Sequence, residues 1–196
     1  MNDDKITENL RVLISKNPDL HEVLTKLNAN NIRYGLYAGV HVAILTDNRI
    51  PTDIDLLVYD DDIAKLKTLF PNAKVKDDGK GVFLYIDDDE LIEFMSSADV
   101  VQEDKIFPFR LTDAAVDRII TYEVGEDKIK LVDPVDSILL KSILQRGADQ
   151  GKHDLEDIEA VVETIDIDTS YLRRRLEEAH ALEKARPVFS KLGINL

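Results

Sequence analysis

The run Ile54-Asp55-Leu56-Leu57-Val58 constrains what this chain can fold into more than any other segment. A strand that is almost wholly apolar is covered on both faces, which places it inside a sheet flanked by helices. The same run begins with two acids, Asp53 and Asp55, spaced so that both carboxylates leave one face of the strand. Their Cα atoms lie about 6–7 Å apart in extended chain, close enough for the side chains to share a divalent ion. Like charges at the edge of a buried sheet repel, and a bound cation resolves the conflict. Alone, the pair reads better as a capping or turn residue followed by an exposed acid.

The rest of the chain supplies covering elements. Residues 4–15 and 19–30 read as helices broken at Asn17-Pro18, with Leu20, Val23, Leu24 and Leu27 on one stripe. Tyr34–Ala38 reads as a short strand, ended by Gly39 and a helical stretch to Leu45. Asp60-Asp61-Asp62 reads as the capped start of a helix bearing Ile63, Leu66 and Leu69-Phe70. Val82–Ile86 and Leu91–Met95 read as strands around a turn at Asp87-Asp88-Asp89, with a looser region over 96–112. Arg118–Val124 and Lys128–Val132 are two more strands, joined through Gly125-Glu126-Asp127.

From Asp133 the period becomes helical. Val135, Ile138, Leu139 and Ile143 form one face; Leu155, Ile158, Val162 and Ile165 form the next; residues 169–184 make a third helix before a short tail. The expected class is α/β (α+β), a small mixed β-sheet with flanking helices over 1–132 and a C-terminal helical subdomain over 133–196.

Charge narrows the function. Against 25 Lys and Arg stand 39 acids, a net charge of −14 and a pI of 4.7. A broad phosphate-binding surface needs clustered cations, so extended nucleic-acid binding is disfavoured, whereas a small anion held through a metal is not. Arg173-Arg174-Arg175 reads as a solvated face pairing with Glu177 and Glu178, or else as a local basic patch. The absence of cysteine removes disulfides, thiolate metal sites and cysteine nucleophiles. No apolar run approaches the roughly 20 residues of a membrane helix, and the start MNDDKITENL is acidic, so a cytoplasmic location is expected.

Two further features keep company with the acid pair. Glu93 interrupts the apolar strand Leu91–Met95, where a buried carboxylate requires a partner or a metal, unless it faces solvent from an edge strand. Gly39 stands where a strand gives way to a helix, and a missing side chain there lets backbone N–H groups approach an anion. Further on, Lys141 lies on an apolar helix and either snorkels to solvent or reaches into a cleft. Asp154 and Asp157 share a helix face, suited either to orienting Lys141 or Arg146 or to capping.

Gly39, the run Arg49…Thr52-Asp53-Ile54-Asp55, and Glu93 together resemble the three-part signature of the nucleotidyltransferase superfamily, the polymerase-beta-like fold. Downstream, Val132-Asp133-Pro134 through Lys141, then Arg146, then Lys152-His153-Asp154 through Ile158, is similar to the AbiEii-type, toxin-like nucleotidyltransferases. The resemblance spans about Tyr34 to Val162. It implies transfer of a nucleoside monophosphate from an NTP to a hydroxyl with Mg²⁺ or Mn²⁺. Asp53, Asp55 and Glu93 would be the catalytic metal ligands. Gly39, Arg49, Thr52, Lys141 and Asp154 would serve the phosphates. The acceptor stays open among an RNA end, a protein hydroxyl and a small molecule.

The sequence also departs from the pattern. Val40 replaces the usual Gly or Ser, and His153 stands where Lys is common. Those departures favour an alternative, a nucleotide- or metal-binding regulatory module of the same fold with little turnover. A third reading is a structural partner that dimerises through its helical C-terminal third.

Overall fold

A computed structural model describes residues 3–46, 53–79, 81–86 and 91–196. The apolar run becomes strand β2 (Ile54–Val58), placed between β1 (Tyr34–Leu36) and β5 (Ile92–Gln102). It runs antiparallel to β1 and parallel to β5. On one side the sheet extends from β5 through β4 (Gly81–Tyr85) to β3 (Lys74–Asp77), both antiparallel. On the other, β1 pairs in parallel with β8 (Asp127–Leu131), which forms a hairpin with β7 (Ile120–Val124). Gly35 permits that crossing, because a Cβ there would stand 2.8 Å from the Val132 backbone nitrogen. The sheet is mixed and has eight strands among the described residues. The expected class is what the chain adopts.

The stretch expected to be loose, 96–112, is a hairpin. β5 continues to Gln102 and turns through Glu103 and Asp104, both with positive φ, into β6 (Lys105–Arg110). Among the described residues β6 pairs with β5 alone, and an edge strand tolerates Pro108, whose nitrogen has no hydrogen to donate. The β4–β5 register shifts where Gly81 and Phe83 of β4 face Ala98 and Met95 of β5, so β5 gains a residue there. That bulge shifts the alternation, which is why Phe109, opposite Ala98, stacks on Tyr37, whose hydroxyl meets Met95.

Helices α1 (Asp3–Lys16) and α2 (Pro18–Ala29) bury the expected stripes, and pack against β7 and β8 respectively. α3 (Ala38–Thr46) follows β1 and packs on α6 (Pro134–Leu144) and α7 (Asp154–Thr164). α4 (Ile63–Leu69) follows β2, and α5 (Asp113–Val116) is one short turn. The third C-terminal helix ends sooner than expected: α8 spans Thr169–Glu178, His180 turns the chain with φ 54°, and α9 (Leu182–Lys191) occupies the expected tail. Leu155 also departs from its expected buried face and is exposed.

Two charged motifs are structural. Asp62 occupies the N-cap position of α4, but its side chain makes no cap bond; it is buried and accepts from the Arg33 N–H and Nε at 3.0 and 2.8 Å and from Lys65 at 2.9 Å. Burial works against its ionisation, but those donors outweigh it and hold the carboxyl down to about 2. The Arg triplet splits as well. Arg173 and Arg174 pair with Glu177 and Glu178 on the surface, whereas Arg175 is buried against Asp136. No patch of three arginines forms.

Candidate functional site

The register of the sheet sets the site. Asp55 of β2 lies directly opposite Glu93 of β5, and Glu93 lies opposite Tyr85 of β4. Directly opposed residues project from the same face, so the two carboxylates are nearest neighbours on it. Asp53, one bend before β2, is exposed; Asp55 and Glu93 are half-buried. The Tyr37 N–H donates to the Asp55 carbonyl at 3.1 Å, so Tyr37, just beyond the end of β1, continues the row. The Tyr37 hydroxyl is buried and donates to Met95 Sδ at 3.4 Å.

Electrostatics mark the same place. Burial, and then the charges of Asp53 and Glu93, push the Asp55 carboxyl up to about 7, while Lys141 and Lys152 oppose the shift. Burial raises the Tyr37 phenol well above its usual value, helped by Asp55, Glu93 and Asp53 and opposed by Arg146. Tyr37 therefore remains a donor.

The opposing cations come from α6 and the loop into α7. Asp133 caps α6 by accepting from the Val135 N–H at 2.9 Å, with Pro134 in the first turn. Lys141, near the other end of α6, is 7% exposed, with Nζ 2.7 Å from Asp157 and 3.5 Å from Asp154. Asp154 also accepts from Arg146 three times: N–H and Nε at 2.9 Å on one oxygen, and Nη2 at 3.2 Å on the other. Burial opposes its ionisation, yet Arg146 and Lys141 hold its pKa below the usual carboxylate range. Asp154 and Asp157 thus hold Lys141 and Arg146 in place. Lys152 is exposed and acts on Asp55 from the same loop. His153 is exposed at the start of α7.

Gly39 sits in the first turn of α3, and a Cβ added to it meets nothing within 4 Å. The left-handed residue of this strand-to-helix turn is its neighbour Ala38, with φ 57°. Val40 is fully buried in α3, so its side chain takes no part in phosphate contact. Arg49 and Thr52 lie outside the described residues, as does the turn at Asp87-Asp88-Asp89.

Among the described residues, no three His, Asp or Glu side chains stand close enough to cage an ion unaided. Mg²⁺ rarely uses such cages; it takes one or two carboxylates and completes its shell with water and substrate phosphates. Asp53, Asp55 and Glu93 are donors of that type; burial chiefly raises the Asp55 carboxyl, and the charges of Asp53 and Glu93, which add to the rise, are what a cation would offset.

Sequence reasoning passed over Tyr37, Tyr85 and Lys152. Two aromatics within apolar strands carry no signal until the register shows their neighbours. Lys152 was legible as a cation beside the basic–Asp pair, but its position opposite Asp55 depends on the loop between α6 and α7.

No family model matches the chain, and no curated protein sequence matches it. Solved structures do. A solution structure of the antibiotic-resistance factor ANT(2″)-Ia is 14% identical, covers 89% of this chain and 92% of its own, and superposes with a TM-score of 0.52. A crystal structure of ANT(2″)-Ia with adenylyl-2″-tobramycin is 12% identical, covers 91% of this chain and 99% of its own, and also has a TM-score of 0.52. At such identities the likeness is one of fold: this chain has the fold of a nucleotidyltransferase.

Proposed function

We propose that the protein is a metal-dependent nucleotidyltransferase that moves an NMP from an NTP to a hydroxyl acceptor. The observation that carries this reading is the Asp55–Glu93 register pair, with the charge of Asp53 added to it at Asp55. Asp53, Asp55 and Glu93 would hold Mg²⁺ or Mn²⁺. When bound, the ion neutralises triphosphate charge and makes the acceptor hydroxyl more acidic. The backbone at Gly39 and the side chains of Lys141 and Lys152 receive phosphate oxygens, while Asp154 and Asp157 position Lys141 and Arg146. The acceptor oxygen bonds to the α-phosphorus as the bond to the β-phosphate's bridging oxygen breaks. Pyrophosphate leaves, and the hydroxyl proton passes to the Glu93 carboxylate.

Arg49 and Thr52 are assigned to the same phosphate region on the sequence pattern alone. The Lys141…Asp154…Asp157 pattern supports kinship with the AbiEii-type enzymes, with 133–196 as a cation-bearing subdomain beside a core over 1–132. Incubating the protein with Mg²⁺, each labelled NTP and cell lysate or total RNA tests the reaction. Label transfer with pyrophosphate release is expected from the parent and not from Asp55→Asn. Equal transfer by both chains would remove Asp55 from the mechanism.

A further inference from the structure

From Val40 to Leu45, α3 is apolar except at one position. His41 lies between Val40 and Val42, is 1% exposed, and has Nδ1 2.7 Å from the hydroxyl of Ser137 on α6, itself fully buried. Burial depresses the imidazole to about 3, so the pair is a neutral hydrogen bond at any pH near neutrality. Among the described residues, this is the one hydrogen bond from a side chain of α3 to another element. The other tie, from Asn9 Nδ2 to the Ile44 carbonyl at 2.9 Å, reaches backbone.

Two apolar side chains would fill this space without the desolvation cost of an imidazole and a hydroxyl. What the polar pair adds is direction, because apolar contact is non-directional and a hydrogen bond fixes distance and angle. Its place in the fold gives that direction a use. Gly39 precedes His41 by two residues, about 3 Å along the helix axis, and Lys141 stands one turn beyond Ser137 on the same face of α6. The bond therefore lies between the first turn of α3 and the cations that α6 and its loop set against Asp55.

We propose that His41 and Ser137 are positioning residues for a triphosphate: their bond sets the gap between the backbone N–H groups at the start of α3 and the positive charge of Lys141 and Lys152. This rests on the nucleotidyltransferase reading and adds to it the device that keeps the two sides of the phosphate site in register. Lys141 keeps Asp157 and Asp154 as partners, and it is the distance of its charge from α3 that the bond holds. A triphosphate spans the gap, whereas a monophosphate reaches one side of it.

The test makes the pair apolar, His41→Leu with Ser137→Ala. ATP, CTP, GTP and UTP are titrated in Mn²⁺ by calorimetry, followed by the monophosphate of whichever binds the parent tightest. The double variant should melt at the parent's temperature or above, since it leaves no buried polar partner stranded. Its NTP affinity should nevertheless fall about tenfold, the lower range for one charge-assisted hydrogen bond, while NMP and Mn²⁺ affinities hold. His41→Asn, whose amide can stand where Nδ1 stands, should keep NTP affinity near the parent's. Ser137→Ala alone removes a single oxygen; it should show the same selective loss and serves if the double variant does not fold. The inference is overturned if the parent binds NTP and the folded apolar variant binds it equally well, or if NTP and NMP affinities fall together. Either result leaves the nucleotidyltransferase reading standing. A parent that binds no NTP removes that reading, and this inference with it.

Discussion

Two carboxylates shielded from water to different degrees meet opposite fates in this protein. Asp136, in the first turn of α6, is fully buried and accepts from Arg175 Nε at 2.7 Å and from the Tyr171 hydroxyl at 2.8 Å. Arg175 in turn donates to Thr112, Glu178 and the Arg110 carbonyl. Burial raises the Asp136 pKa, and Arg175 and Tyr171 act against that rise. Asp55 is also pushed up by burial, but there the charges of Asp53 and Glu93 add to the rise, with Lys141 and Lys152 acting against it. The first cluster is closed and ties α8 to α6. In the second, like charges add to the effect of burial, and a carboxyl shifted in that way suits a functional site better than a scaffold.

The sharpest way to break this contrast is to open the closed cluster. Arg175→Ala strands Asp136 without its cation, and breaking a buried pair from one side costs about 3–5 kcal/mol. Denaturant melts should show that loss, equal in EDTA and in Mn²⁺. A cost below about 1 kcal/mol, the range of surface pairs, would mean that the cluster is not the tie between α6 and α8.

Asp55→Asn should do the reverse. In EDTA it relieves repulsion, so stability stays equal or rises slightly. The parent should gain about 2.7 kcal/mol when Mn²⁺ reaches about 100 times Kd, and the variant should lose most of that gain. The pH dependence has a definite sign. A carboxyl raised to about 7 in the folded state contributes stability that is complete below its unfolded value and lost as pH climbs through about 7. In EDTA, the parent should therefore lose stability relative to Asp55→Asn between about pH 4 and pH 7. Asp62, held down to about 2, has the opposite sign: its contribution is present above the unfolded value and disappears as pH falls toward 2. Parallel melting curves for parent and Asp55→Asn, in both Mn²⁺ and pH series, would remove the metal site.

These two clusters also differ in how well the sequence foretold them. The acid row was readable because β2 and β5 are apolar, and an acid inside an apolar strand is conspicuous. Asp136 was not, because an acid in the first turn of a helix already has a reason to be there. Arg175 was hidden inside a polar triplet in which only one residue turns inward. The same physics explains the missed strands. β3 reads Lys-Val-Lys-Asp and is wholly exposed, so it lacks a buried face to betray it. β5 carries Ser96-Ser97 and a bulge, which breaks the period of two, and β6 contains Pro108. α9 carries Pro187 within it, which argued for a tail.

Lys141 stands between the two clusters, closed by Asp157 yet acting on Asp55. Lys141→Ala should weaken NTP affinity by about 1.5–3 kcal/mol, the range of a charge-assisted hydrogen bond. Mn²⁺ affinity without nucleotide should hold or rise slightly, because a cation opposing Asp55 has gone. The variant should also melt earlier, since Asp157 loses its buried partner. Unchanged NTP affinity beside that lower melting temperature would assign Lys141 to the scaffold, with Arg175.

The smallest expected effect compares backbone strain on the two sides. Ala38, in the turn that opens α3 beside Gly39, has φ 57°; His180, in the turn between α8 and α9, has φ 54°. Left-handed geometry costs a residue with a Cβ about 1–2 kcal/mol, and a glycine avoids that while losing more chain entropy on folding. Each single change to glycine should therefore stabilise the protein by about 0.5–1 kcal/mol. The two should part on ligand binding. Ala38 directs the first turn of α3, whose backbone at Gly39 is proposed to receive phosphate oxygens, so Ala38→Gly loosens the approach of the backbone N–H groups and should weaken NTP affinity slightly. His180→Gly should leave it unchanged. Denaturant melts and NTP titrations of both variants measure the difference, and equal NTP affinities would place the strain at Ala38 with the scaffold and not with the phosphate site.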